Sequence, residues 1–382
     1  QMVQTLDPGT GGVARAVISL SKAMERCGHQ VEIVALDEST SPWLTKVDLP
    51  VHALGTGLTS YRYSKKLLPW LREEGRRFDC VVVNGLWQYM SFAAWRCYAR
   101  SAIPYYVFPH GMLDPWFKRT FPLKHVKKWL YWPWAEYRVL RDAAAVIFTS
   151  EEERLQARQS FWLYRCHERI APLGVETPES APIGAREIFL EKYPELKETR
   201  MLLFLGRLHP KKGCDLLIEA VHRLRSTNEP VSLVFAGPDQ VGWEQELRAR
   251  ISRLGLLIPV VFTGMIEGAM KRSALAAADA FILPSHQENF GISVVEALAA
   301  GIPVLISNKV NIWREIEADQ AGYVENDDLA GTIRLIERWV QTPVEQREAM
   351  RKNARSCFVH RFEINHAAAS LLNILRETAT VA

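Results

Sequence analysis

Two glutamates eight positions apart, Glu288 and Glu296 in "ENFGISVVE", carry the clearest chemical signal in the chain. The apolar pattern predicts a helix beginning near Gly291. From Ile292 to Ala300 its only charged residue is Glu296, set among Val294, Val295, Ala297, Leu298 and Ala299. A carboxylate in so apolar a helix needs a partner, because burial without one is costly. Glu296 therefore bonds a neighbouring donor or, at the ligand end of the helix, accepts from sugar hydroxyls. Glu288, in the preceding loop, can share that crevice. The plain alternative is a satisfied buried acid beside a solvated one.

Arg207 and Lys212 sit in "FLGRLHPKKG", just past an apolar run that ends at Gly206. A planar guanidinium fork and a nearby ammonium suit a diphosphate, whose charge grows as it departs. His110 closes the run "YYVFPH" and is either a core histidine or a ligand contact. The opening stretch "LDPGTGGVARAV" holds Gly9, Gly11 and Ala14 at dinucleotide-fingerprint spacing, and Asp37 stands where a ribose-binding acid would. Gly11 and Gly12 would let a phosphate approach the amides of the next helix. A tight turn, or close packing of helix on strand, explains the same glycines.

These residues need a scaffold that collects loop ends, and the chain has its rhythm. The runs "VEIVAL", "CVVVNG", "YYVF" and "AVIFTS" alternate with helical patterns, as in a parallel sheet. After the Pro/Gly-rich "APLGVETPESAPIG" at 171–184 the rhythm restarts with "MLLFLG", "VSLVFAG", "PVVFTG", "AFILPS" and "IPVLIS". Two open α/β domains in series follow, ending in a helix over "INHAAASLLNILRETA". In such sheets ligands bind beyond the carboxyl ends of the strands, which selects Gly11, Asn84, His110, Ser150, Gly206, Gly237, Gly264 and Ser285. Ser150 and Glu153 fit a helix capping box.

The chain of 382 residues is 48% hydrophobic and 24% charged, an ordinary globular mixture. No long apolar run and no basic-then-apolar leader is visible, which argues for a cytoplasmic location and against a spanning helix. Six scattered cysteines form no C-x-x-C pair and read as packing residues. No D-x-D occurs, so no metal ligands for a diphosphate are evident. Residues 1–175 hold 23 Lys+Arg against 16 Asp+Glu, a surplus of seven, while the remainder is slightly acidic.

The E-x7-E spacing, with "GRLHPKKG", the early "GTGG", "PHGMLDPW" and "PLGVE" in the same order, resembles the retaining nucleotide-sugar glycosyltransferases of family 4. The resemblance spans essentially the whole chain. It implies an α/β GT-B fold: two Rossmann-like, open parallel-sheet domains facing across a cleft, residues 1–172 for the acceptor and 173–360 for the donor. A C-terminal helix, 361–382, would cross back onto the first domain. It implies that Arg207 and Lys212 bind the donor diphosphate, Glu296 the ribose, and Glu288 the transferred sugar. Asn289, Phe290, Gly291 and Ile292 would meet sugar and phosphate. Gly11 and Gly12 would touch the diphosphate or acceptor, and Gly237 and Gly264 would lie near the base. His110 would face the donor sugar, so that His110, Arg207, Lys212 and Glu288 form the catalytic set. No cofactor or metal is expected, and UDP-glucose or another UDP-hexose is the favoured donor, with GDP-mannose next. The dehydrogenase reading falls away. A GT-B phosphorylase or epimerase, or a non-catalytic nucleotide-sugar-binding protein, remains as an alternative.

On the acceptor side, relatives often carry histidine where this chain has "NGLWQ". Asn84, Trp87 and Asp114 are the candidates here. Residues 117–141 interleave seven Lys/Arg with seven aromatics and one acid. Such a segment either rests on an anionic membrane or packs its aromatics inward. It fits a polyprenyl-diphosphate-linked saccharide acceptor in exopolysaccharide assembly, with peripheral contact at the inner membrane face. Nucleic acid is not expected, because no binding module is recognisable.

Overall fold

Short β-branched runs build one parallel sheet in each of two units of the computed structural model, which describes residues 1–120, 122–224 and 230–379. The first unit comprises residues 1–176 and 361–382, the second residues 177–360.

The first sheet contains β1 (Met2–Val3), β2 (Ile33–Ala35), β3 (Val51–Ala53), β4 (Val81–Asn84), β5 (Tyr105–Phe108), β6 (Ala145–Phe148) and β7 (Glu168–Ile170). Their order is β3-β2-β1-β4-β5-β6-β7, so the direction of winding reverses between β1 and β4. At such a reversal the loops after both strands open a ligand crevice. Those loops carry the glycine turn and the Asn84–Gln88 segment. Because Asn84 pairs with Phe108 across β4 and β5, His110, two residues on, emerges beside Asn84.

The helix Ile364–Ala379 completes this unit. Its Ala367, Ala368, Leu371, Leu372 and Leu375 pack with Leu20, Ala23 and Met24 of the helix Gly12–Arg26 and with Tyr106. The Tyr106 hydroxyl meets Thr378 Oγ1 at 2.6 Å. Val175 bridges to Glu363, fastening the chain just before it leaves the unit.

The second sheet contains β8 (Arg200–Leu205), β9 (Val231–Ala236), β10 (Val260–Gly264), β11 (Ala280–Leu283), β12 (Val304–Ser307) and β13 (Gly322–Glu325), in the order β10-β9-β8-β11-β12-β13. The reversal falls between β8 and β11, and the loops after them hold Arg207 to Lys212 and Ser285 to Glu288. Every strand pair in both sheets is parallel. The strands β3, β7 and β13 were not evident from apolar runs, and each lies at a sheet edge.

Candidate functional site

In the second unit the loop after β8 turns sharply at Pro210–Lys212 and enters a helix at Cys214, with Gly213 at φ 69° between them. Only glycine fits there. A Cβ on Gly213 would stand 2.3 Å from the carbonyl oxygen of Pro284, in the loop after β11. The two loops are laced further: the Lys211 carbonyl accepts the His286 amide at 2.9 Å and the Ser285 hydroxyl at 3.1 Å. This lacing brings the Lys212 ammonium onto the Glu288 carboxylate. Burial raises the Glu288 pKa, but Lys212, then Lys211 and the Gly291 amide, outweigh it and hold the carboxyl below its ordinary value.

The helix Ile292–Ala299 starts at Gly291, φ 73°, which offers no side chain to cap it. Glu296 bonds a neighbouring donor, one of the two possibilities left open by the sequence: Lys271 Nζ lies 2.6 Å away. Asn289 Oδ1 accepts from Asn311 Nδ2 at 3.3 Å, and Phe290 is buried. The exposed Arg207 directs its guanidinium to Gln240 Oε1 at 3.3 Å. With Lys211 and Lys212 it makes one turn strongly cationic. Burial, and after it these cations, depresses the His209 pKa. Gly237 has a packing role, since a Cβ there would sit 1.9 Å from the Gly206 carbonyl oxygen. Around Gly264 the space is open.

Lys271, Gln240 and the His286–Asp327 pair were missed by the sequence reasoning. His286 Nδ1 meets Asp327 Oδ2 at 3.0 Å, a hydrogen bond that raises the histidine pKa. His286 itself follows a strand end and was within reach of that rule. Asp327 lies 41 residues further on and had no local signal.

In the first unit His110 has φ 50°, and the following Gly111 has φ 74°. Glu153 pins this left-handed turn by accepting the Gly111 amide at 2.6 Å. The expected capping box is therefore only half formed. Ser150 Oγ accepts the Glu153 amide, but the Glu153 carboxylate is taken by Thr149 and Gly111.

The imidazole of His110 stacks on Phe108, and its Nε2 lies 2.9 Å from Asn84 Oδ1. Asn84 Nδ2 donates to the Met2 carbonyl and to Gln1 Oε1, so Oδ1 is the accepting end and His110 Nε2 carries the proton. His110 Nδ1 is then a bare acceptor, buried without a partner. Burial pushes the His110 pKa down to about 4. Both ends of the Asn84 amide thus make hydrogen bonds within the fold, and Asn84, expected as an acceptor-binding candidate, supports His110.

Trp87, φ 70°, is also part of the frame. Its amide donates to Glu136 Oε1 at 2.8 Å, its indole to the Met112 carbonyl at 3.1 Å, and Lys128 sits over its ring. Glu136 is fully buried, accepts the Ser91 hydroxyl as well, and is pushed up to about 7 by burial. Asp114 Oδ1 accepts the Trp116 amide at 2.7 Å.

Gly11, φ 125°, opens the helix Gly12–Arg26 without a side-chain cap, and the space around its Cα is open. Asp37, the candidate ribose acid of a dehydrogenase, spends its carboxylate on the Thr5 hydroxyl and the Leu6 amide. The cysteines are all free, and Cys27 is exposed rather than packed. Among the described residues no helix is long and apolar enough to cross a membrane.

Comparison with known proteins identifies the family and the fold. Residues 185–357 match the family "Glycosyl transferases group 1", and residues 11–174 match the "Glycosyl transferase 4-like domain". The chain belongs to the group 1, family 4 glycosyltransferases. It is 27% identical over 250 residues to the alpha-D-kanosaminyltransferase of Streptomyces kanamyceticus, covering 64% of this chain and 63% of that protein. It is 25% identical over 399 residues to the GDP-mannose-dependent alpha-(1-6)-phosphatidylinositol dimannoside mannosyltransferase of Mycobacterium tuberculosis, covering 98% of this chain and 95% of that one. HepE of Anabaena, solved with UDP and glucose, shares the fold with a TM-score of 0.75 at 18% identity, over 98% of each chain. The fold is GT-B, with two Rossmann-like parallel-sheet units.

Proposed function

We propose that this protein moves a hexosyl group from a nucleoside-diphosphate sugar to a saccharide acceptor, with retention of anomeric configuration and without a metal. The observation that carries the reading is the Lys212–Glu288 contact, set in a cationic turn where two sheet-end loops are laced together. Arg207 and Lys212 would neutralise the departing diphosphate in place of a metal. Glu288 would exchange its lysine contact for hydroxyls of the transferred sugar, Glu296 would hold the ribose, and the Gly291–Ile292 helix start would receive phosphate. His110 is neutral at pH 7 and is read as a hydrogen-bonding contact to the sugar rather than a general acid. A UDP-hexose is the favoured donor and a lipid-linked saccharide the favoured acceptor. The mannosyltransferase relative, which is GDP-mannose-dependent by name, supports GDP-mannose as the second donor.

Thermal-shift screening of the full chain against UDP, GDP, ADP and their sugars tests the donor. One nucleotide at a hundred times its dissociation constant should stabilise by about 2.7 kcal/mol. Proton NMR of the product reports the anomeric configuration, and activity should survive EDTA. Inversion, or activity lost on chelation and restored by Mg²⁺, overturns the corresponding part of the reading.

A further inference from the structure

The segment 117–141 was open to two readings, aromatics packed inward or aromatics turned outward, and the described residues do both. Phe121 lies outside the described residues, as do the side chains of Phe117, Arg119 and Lys124. The helix Pro122–Tyr131 packs inward through His125, whose ring stacks on Phe161 at 5.0 Å. Just beyond the helix, buried Trp132 stacks on the same ring at 4.2 Å. The face opposite is largely apolar, with the exposed Lys127 set among its apolar residues. Leu123, Val126 and Leu130, at helical spacing i, i+3, i+7, are 86%, 55% and 62% exposed. Trp134 follows at 71%, and the exposed Trp129 and Trp162 approach each other at 6.4 Å. A solvated helix turns such residues to the core; six large ones left outside on one unit mark a surface with something to cover it.

A second feature adjoins this one. Arg100, Arg138 and Arg141 line a pocket of about 380 Å³ with Trp95 and Asp142. Asp142 neutralises one guanidinium through its 2.6 Å contact with Arg141, which leaves a net charge of two positive. The Arg138 guanidinium lies 5.9 Å from the Trp95 ring and 6.0 Å from that of exposed Trp134, so the pocket and the apolar face share a residue. Apolar side chains beside a cationic pocket match the layering of a bilayer surface, acyl chain next to phosphate.

We propose that the Leu123–Trp134 face and the Arg100–Arg138–Arg141 pocket form a docking surface for an anionic phospholipid membrane. The leucines and tryptophans enter the acyl boundary, and the arginines hold a lipid phosphate. The inference stands independently of the donor and acceptor named above.

The test is co-sedimentation of the full chain with vesicles of phosphatidylcholine, alone or with a third phosphatidylglycerol, at low and high salt. Binding to the anionic vesicles only, weakened by salt, is the expected result. Leu123→Glu/Leu130→Glu should abolish it without lowering the melting temperature, since both side chains are mostly exposed. Arg138→Gln/Arg141→Gln should reduce partitioning by about 25-fold, at about five-fold for each charge near the surface. Equal binding to neutral vesicles overturns the proposal. So does the absence of vesicle binding together with a dimer, seen by light scattering, that Leu123→Glu/Leu130→Glu dissolves, for then the occupant is a second copy. Stabilisation by millimolar inorganic phosphate without vesicle binding would assign the pocket to a free anion and equally overturn it.

Discussion

Asn84 holds His110 by a single hydrogen bond of 2.9 Å, and the rest of the Asn84 amide determines which imidazole nitrogen is protonated. A histidine kept neutral by burial is a source of acid sensitivity. Its folded pKa, about 4, lies below the ordinary 6.5, so this contribution is full above 6.5 and is lost as pH falls toward 4. The span corresponds to about 3 kcal/mol. His110→Gln should therefore gain stability relative to the parent as pH is lowered through that window, measured by urea unfolding. A constant difference across pH 4–7 would contradict the neutral, buried assignment.

Glu136 should tilt the same profile the other way. Its folded pKa is raised to about 7 from 4.5, so the parent loses stability as pH rises between those values. Relative to the parent, Glu136→Gln should become progressively more stable from pH 5 to pH 8. Because Glu136 accepts the Trp87 amide, a spectral change at Trp87 should accompany ionisation in the parent and vanish in the variant.

Asn84→Asp would place a carboxylate against His110 Nε2. The pKa of His110 should climb, visible in an NMR titration of its ring, because an adjacent negative charge favours the imidazolium. An unmoved titration would mean that Asn84 does not face the ring in solution.

Arg207→Ala and Lys212→Ala should each slow transfer by about 10- to 150-fold, the worth of a charge-assisted hydrogen bond expressed in the transition state. Folding should suffer less. Lys212→Ala also removes the cation that holds Glu288 ionised, so its activity should fall off at a higher pH than the parent's on acidification. Turnover equal to the parent's in both variants would remove the diphosphate assignment.

Lys271 and Glu296 should be energetically coupled. Lys271→Met strips the cation from a mostly buried carboxylate and is expected to cost about 1–3 kcal/mol. Adding Glu296→Gln should recover part of that loss, giving a coupling energy of about 0.5–3 kcal/mol in a double-mutant cycle. Additive effects would show the pair to be idle.

The central strands were legible because burial on both faces leaves them as plain apolar runs, such as Val81–Asn84 and Ala280–Leu283. The strands β3, β7 and β13 read VHA, ERI and GYVE. An edge strand is covered less completely, so its sequence need not be apolar. The spacing of Glu288 and Glu296 was legible for a related reason, since a charge within an apolar helix stands out. Their partners were not. Lys212 and Lys271 reach them across 76 and 25 positions through loops and a separate helix, a proximity set by strand order. The support role of Asn84 depended likewise on the register of β4 against β5.

The first unit is discontinuous in sequence, and this fixes the order in which it can be finished on the ribosome. Residues 177–360 are synthesised between Glu176 and the helix that covers Leu20, Ala23, Met24 and Tyr106. At 5–20 residues per second that interval is on the order of 10–40 s. Throughout it the nascent first sheet carries an uncovered apolar flank while the second unit emerges and folds. The helix Ile364–Ala379 is thus a late seal on the core of the first unit.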